Sequence, residues 1–120
     1  MPNFYNAPEI KVADYEARRT NDENYILMDV REPQELRFAN LDKDPRLTLV
    51  PLSKLARHQL DALPDELKEK STDIIVMCHH GVRSAQVTAW MLQQGWENVL
   101  SLEGGIDAYA REIDPAIGLY

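Results

Sequence analysis

The sequence predicts an α/β fold with a central, mostly parallel sheet of about five strands and helices on both faces. Apolar runs typical of strands alternate with segments whose apolar residues recur at helical spacing. The strand segments are nearly continuous in their apolar character, which indicates a parallel sheet covered on both faces. The chain has 120 residues, of which 44% are hydrophobic. This length suits one hydrophobic core, so we expect a single domain over residues 1–120.

The first half of the chain supplies three of the predicted strands. EIKVADYEARR at 9–19 predicts a short strand followed by a helix with apolar residues on one face. YILMD at 25–29 and RLTLVPL at 46–52 predict the second and third strands. Between them, PQELRF predicts a helix that begins at Pro33, because proline lacks only an N–H that the first turn leaves unpaired.

The second half predicts, in order, two short helices, a strand, a helix, a strand and a helix: SKLARHQL at 53–60, PDELKEK at 64–70, DIIVMC at 73–78, residues 83–94, NVLSL at 98–102 and IDAYAREI at 106–113. DIIVMC is the most apolar of the strands. Gly95 is a natural left-handed stop for the helix before it.

Composition and charge exclude several classes of function. The formal net charge is -7, so the surface lacks the basic field that general binding to nucleic acid or to anionic membranes requires. The sequence shows neither a secretory signal pattern at its amino terminus nor a run of about 18 apolar residues. The single cysteine cannot form an internal disulfide, which suits a reducing compartment. We therefore expect a cytoplasmic protein without nucleic-acid or membrane partners.

Ligands of open parallel sheets bind beyond the carboxyl ends of the strands, so the residues at these ends are the candidates for a site. Asp29 ends the second strand, Cys78 ends the fourth, and Glu103, Gly104 and Gly105 follow the fifth. If these strands are parallel, all three groups share one edge of the sheet.

Cys78 is followed by the loop HHGVRS and then by a helical pattern. Unpaired amides at a helix N-terminus favour an anion, and cysteines in such places can have a thiol pKa of about 3.5–7.5. Arg83 adds a fixed positive charge and a fork suited to an oxyanion, and Gly81 permits a tight turn. The alternative is a small buried and unreactive cysteine, but the loop chemistry favours a reactive thiolate.

The histidines do not predict a metal centre. His79 and His80 are adjacent in a tight loop, and the sequence has no other cluster of cysteine and histidine. His58 lies in a polar helix and is expected to face solvent. We predict neither a metal nor another cofactor.

Three ordered motifs resemble those of single-domain, rhodanese-like sulfurtransferases: DVREPQE at 29–35, CHHGVRS at 78–84 and GWENVLSLEGGIDAY at 95–109. The resemblance covers most of the chain and implies the rhodanese-like fold. It also implies transfer of a sulfane sulfur through a persulfide on Cys78, from an anionic donor such as thiosulfate to a thiol or cyanide. A sulfur-relay protein is a further possible partner.

The resemblance also implies roles for the residues around Cys78. The amides of residues 79–83 would cradle the persulfide, and Arg83 would bind the donor. The loop residues so assigned are His79, His80, Gly81, Val82, Arg83 and Ser84. The supporting residues are Asp29, Arg31, Glu35, Gly104 and Gly105, where Gly104 and Gly105 would form the facing rim of the pocket. For Asp29, Arg31 and Glu35 we favour a structural role, as an ion pair at i and i+4.

Two departures from the family pattern leave the donor open. ANLDKDPRL at 39–47 stands where the family often has a G-H-I segment, and His79 stands where thiosulfate-using members frequently have arginine.

Two other functions compete with sulfur transfer. Phosphatases and arsenate reductases use C-x5-R, whereas this loop is C-x4-R and its smaller ring of amides suits a single sulfur. A noncatalytic interaction or sulfur-carrier module of the same fold is the third alternative, although such a module would not need both Cys78 and Arg83.

Overall fold

The computed structural model describes residues 5–120, so residues 1–4 of the predicted domain lie outside the described residues. The five strands are β1 (Glu9–Ile10), β2 (Ile26–Asp29), β3 (Leu47–Leu49), β4 (Ile74–Met77) and β5 (Val99–Leu102). They form one sheet in the order β1-β5-β4-β2-β3, and every neighbouring pair is parallel. The predicted parallel α/β sheet is therefore confirmed.

The α-helices are α1 (Val12–Thr20), α2 (Leu52–His58), α3 (Val82–Gln93) and α4 (Gly105–Glu112). Short 3-10 helices cover Pro33–Arg37, Gln59–Ala62, Asp65–Leu67 and Pro115–Ile117. Within residues 5–120, no helix combines the length and the apolar character that a membrane span requires.

Apolar side chains pack on both faces of the sheet, as the uniformly apolar strands predict. On one face, Val87 and Met91 of α3 join a buried cluster with Val76 of β4. On the other face, Tyr15 of α1 and Tyr109 of α4 join a second cluster against the neighbouring strand positions. All four residues of β4 are buried, which fixes the end of this strand and the loop that follows it.

Several helical predictions differ from the structure in type or extent. PQELRF forms a 3-10 helix because Glu32 and Glu35 cap each other reciprocally and close a single short turn. The third strand is only three residues long, and α2 begins already at Leu52. The helix predicted at 53–60 changes to a 3-10 helix at Gln59, whose φ is 51°. In PDELKEK only Asp65–Leu67 is helical.

The segment 39–47 is held by a buried carboxylate. Asp44 is buried and accepts hydrogen bonds from the hydroxyls of Tyr15 at 2.8 Å and Tyr25 at 2.6 Å. Arg46 donates to the same side chain at 3.2 Å. The segment that departs from the family pattern is thus fixed to the α1 side of the sheet by a satisfied polar network.

Candidate active site

The loop after β4 forms the floor of the candidate site. Cys78 follows the last residue of β4, and Gly81 caps α3 with a left-handed φ of 95°. A Cβ at position 81 would lie 3.1 Å from the backbone nitrogen of Gly104, so the loop and the segment after β5 approach closely. Only glycine combines this φ with this approach at low cost.

The sulfur of Cys78 lies inside this loop and accepts two backbone hydrogen bonds. The amides of Gly81 and Ser84 donate to Sγ at 3.1 and 3.3 Å, and the thiol can donate to Ser84 Oγ at 3.5 Å. Cys78 is only 1% exposed. Of the five amides expected to cradle a persulfide, that of Gly81 already reaches Sγ, while Ser84 lies just beyond the expected range. Two backbone N–H groups are therefore directed at one buried sulfur.

Ser84 is itself held by a residue that sequence reasoning missed. Its hydroxyl shares a 2.8 Å hydrogen bond with Ser101 of β5, and both side chains are fully buried. A serine within the apolar run NVLSL was the available signal, because a buried hydroxyl needs a partner. Ser101 therefore fixes Ser84 and, through it, the wall beside the sulfur.

The first amides of helix α4 donate hydrogen bonds to carbonyl groups of the same loop. The amide of Ile106 donates to the carbonyl of Cys78 at 2.9 Å, and the amide of Asp107 donates to that of His79 at 3.0 Å. A Cβ at Gly105, whose φ is 64°, would lie 2.5 Å from each of these two carbonyl oxygens. Gly104 and Gly105, predicted as the facing rim, thus contact the backbone of the loop directly.

Arg83 does not present a free guanidinium to a donor. Its Nη1 and Nη2 donate to the two carboxylate oxygens of Glu35 at 2.7 and 2.9 Å. The Tyr120 hydroxyl donates to Glu35 at 2.9 Å as well. The Arg83 bonds are the main reason why the pKa of Glu35 is lowered to about 2, and Glu35 in turn raises the pKa of Arg83.

The supporting ion pair differs from the predicted one. Arg31 pairs with Asp29, with Nη2 at 2.8 Å from Oδ2, and both side chains are fully buried. Arg31 also donates to the carbonyl of Ala39 at 2.8 Å. The expected pair at i and i+4, Arg31 with Glu35, is wrong, because the 3-10 turn directs Glu35 towards α3 and Arg83.

The Arg83–Glu35 pair gives the stability a defined pH dependence. We expect Glu35→Gln to lower the free energy of unfolding by about 1 kcal/mol near neutral pH. The folded-state pKa of Glu35 lies below its ordinary value of 4.5, so the contribution is complete above that pH and is lost as the pH falls towards about 2. Urea unfolding of both proteins at a series of pH values measures the difference. A difference that stays constant down to pH 2 would contradict this linkage.

Tyr120 covers the loop from the other side, a role that no sequence pattern indicates. Its ring stacks on His79 with centroids 3.7 Å apart and an angle of 4°, and its hydroxyl accepts from Arg31 at 3.1 Å. Burial and the neighbouring His80 lower the pKa of His79. Nε2 of His79 is buried and has no hydrogen-bond partner among the described residues. His79 is therefore a neutral wall of the site at pH 7.

The histidines and Asp107 lie close enough together to raise the question of a metal. Ligand atoms of His79, His80 and Asp107 all fall within 4.8 Å of one another. The two imidazole rings, however, overlap at 3.8 Å with an angle of 30°. Lone pairs of imidazole nitrogens lie in the ring planes, so rings stacked in this way do not converge on one ion. Asp107 is also bonded to Arg111 at 2.9 Å. The geometry favours ring stacking over metal binding.

Two relatives match most of this chain. One is a rhodanese-like/PpiC domain-containing protein 12 from Arabidopsis thaliana, a chloroplastic protein, with 38% identity over 78% of this chain. The chain spans only 30% of the length of that relative. Another is a sulfurtransferase from Allochromatium vinosum, with 31% identity over 91% of this chain and 94% of the relative.

A solved structure and a family model agree with these relatives. A rhodanese-related protein from Thermoplasma volcanium matches with a TM-score of 0.67 and 29% identity, covering 88% of this chain and 93% of that protein. The family model described as rhodanese-like domain matches residues 12–112. The parallel sheet, the cysteine loop after β4 and this match over most of the sequence place the chain in the rhodanese-like domain family.

Proposed function

We propose that the protein is a sulfurtransferase that carries a sulfane sulfur as a persulfide on Cys78. One observation carries the proposal: the Cys78 sulfur lies at the end of β4 with the amides of Gly81 and Ser84 directed at it. These donors stabilise the thiolate that attacks and the negative charge that remains after sulfur is taken up. Membership of the family and the sulfurtransferase relative support activity of this type or a related one.

The proposed reaction has two steps. The Cys78 thiolate attacks the outer sulfur of a donor such as thiosulfate, a new S–S bond forms, and sulfite leaves with the electron pair of the broken bond. The outer sulfur of the persulfide then passes to a thiol or cyanide. The outer sulfur lies about 2.05 Å beyond Sγ. Because Sγ itself is buried, the outer sulfur is the atom that an acceptor meets.

The acceptor must come from outside the chain. Cys78 is the only cysteine in the sequence, so no second thiol can displace the sulfur and close an internal disulfide. A small thiol, cyanide or the thiol of a sulfur-relay protein would complete the cycle. The buried position of Sγ favours acceptors that present a single narrow sulfur or carbon atom.

Steady-state kinetics test the proposal. A covalent intermediate that separates the two half-reactions predicts a ping-pong pattern, in which double-reciprocal plots at several acceptor concentrations are parallel. Thiocyanate formation from a sulfane-sulfur donor and cyanide provides the readout. Intersecting lines would mean that donor and acceptor must bind together, and would contradict a free persulfide intermediate.

The same loop geometry predicts that aryl phosphates are not hydrolysed. The ring of the C-x4-R loop is closed around a single sulfur, with Gly81 and Ser84 within hydrogen-bond distance of Sγ. The Arg83 guanidinium that would bind a phosphoryl group is held by Glu35. Hydrolysis of an aryl phosphate at a rate comparable to sulfur transfer would favour the phosphatase alternative instead.

A further inference from the structure

The loop has one side chain of fixed positive charge, and the structure neutralises it. Arg83 is the only lysine or arginine in residues 78–84. Its two terminal nitrogens are 2.7 and 2.9 Å from the two oxygens of Glu35, so both prongs of its fork are occupied. The Arg83 side chain is 29% exposed and that of Glu35 is 17% exposed, which leaves the pair partly shielded from solvent.

Two further arginines are paired with carboxylates. Arg31 is buried against Asp29, and Arg111 is bonded to Asp107. His80 Nδ1 lies 3.8 Å from the same Asp107. His79, next to the sulfur, stacks on Tyr120 with its Nε2 buried. Three arginines thus meet three carboxylates, and within residues 78–84 the backbone amides of Gly81 and Ser84 are directed at Sγ.

We propose that Glu35 sets the donor preference of the site by neutralising Arg83, and that the preferred donors are organic persulfides of low charge and not thiosulfate. This inference rests on the proposed sulfur transfer through Cys78. A dianion that approaches a thiolate needs an uncompensated cation, whereas a persulfide with at most one charge on its sulfane sulfur needs only the amides. Glu35 is in this sense a specificity-determining residue that acts through Arg83.

The two loading reactions differ in the total charge of the reacting groups in the site. With thiosulfate, the Cys78 thiolate and the dianion give a deprotonated persulfide and sulfite, so three negative charges share the site. With a neutral alkyl persulfide, R–S–SH, the thiolate attacks the outer sulfur and R–S⁻ leaves. The proton stays on the transferred sulfur, Cys78 becomes Cys–S–SH, and one negative charge is present throughout.

Rapid loading assays with thiosulfate and with the persulfide of N-acetylcysteine methyl ester test the inference. The parent should load the alkyl persulfide faster. Glu35→Gln keeps the shape of the side chain and frees the charge of Arg83, so the ratio of the thiosulfate rate to the alkyl persulfide rate should rise roughly tenfold. An unchanged ratio in this variant would overturn the inference.

The chain offers a matched control. Glu16 accepts from Arg19 at 2.8 and 2.9 Å and from the Tyr109 hydroxyl at 2.8 Å, the same kind of arrangement as Glu35 with Arg83 and Tyr120. Glu16→Gln changes the net charge equally, outside the loop. It should leave the ratio within about twofold of the parent. A rise equal to that of Glu35→Gln would make the effect one of overall charge and would overturn the role of Glu35.

Salt dependence gives a second measurement that needs no variant. If Arg83 is neutralised, thiosulfate loading by the parent should not fall as the ionic strength rises, because salt then screens the repulsion between the dianion, the thiolate and a protein of net charge -7. A steep fall with salt would show that a free cation holds thiosulfate, which contradicts the inference even if the Glu35 variant does not fold. Absence of loading by either donor would instead refute sulfur transfer itself.

Discussion

Replacing Cys78 by serine should abolish sulfur transfer, with a loss of at least about 10³-fold in turnover. A serine hydroxyl remains protonated at neutral pH and is a poor nucleophile, whereas a cysteine thiolate is a strong one. The hydroxyl can accept the same amide hydrogen bonds, so the fold should be retained. The thiocyanate assay gives the activity, and urea unfolding gives the stability.

The stability measurement separates chemistry from folding. The free energy of unfolding of Cys78→Ser should stay within about 1 kcal/mol of the parent. Ser101→Ala is a useful comparison, because it removes the hydroxyl that holds Ser84 but leaves the nucleophile in place. This variant should retain part of the activity. Substantial turnover by Cys78→Ser would place the reactive atom elsewhere and would end the proposed mechanism.

Substituting alanine for Gly105 should displace the active-site loop and destabilise the protein by about 3 kcal/mol or more. The added Cβ would lie 2.5 Å from the carbonyl oxygens of Cys78 and His79, and 2.6 Å from the carbonyl carbon of His79. Backbone atoms cannot yield at low cost, and these carbonyls accept the first amides of α4. Sulfur loading should therefore fall even under conditions in which the variant remains folded.

Gly95→Ala is the control for backbone strain. Gly95 also has a positive φ, 106°, but a Cβ there would meet only the flexible side chain of Lys70, at 3.3 Å. Strain alone should cost about 1–2 kcal/mol and leave the loading rate of the folded fraction unchanged. Equal effects of the two substitutions on loading would show that the close approach of α4 to the loop is unimportant.

The sequence was informative where a residue acts through its immediate neighbours. Uniformly apolar strands predict a parallel sheet, and that sheet brings Cys78, Asp29 and Gly104 to one edge. Gly81 and Gly95 were predicted as positions of tight or left-handed backbone, and both have positive φ. These features follow from local composition and from the geometry of parallel strands.

Features that depend on tertiary contacts were not predictable in the same way. Arg31 lies four residues before Glu35 in the sequence, whereas Arg83 lies 48 residues after it, and only the orientation of the 3-10 turn directs Glu35 to Arg83. Tyr120 stands 41 residues after His79 in the sequence, and no motif links the two residues. The lengths of the helices predicted at 53–60 and 64–70 were overestimated. In the first of them, helix propensity does not reveal Gln59, whose positive φ interrupts the helix.

Intact-mass measurement tests the central claim most directly. The parent protein would be incubated with a sulfane-sulfur donor, measured, then treated with a thiol and measured again, beside Cys78→Ser. The account predicts that the parent gains the mass of one sulfur atom and loses it to the thiol, while the serine variant gains none. A parent that never gains sulfur from thiosulfate or from an alkyl persulfide, or a serine variant that gains it equally, would contradict a persulfide on Cys78.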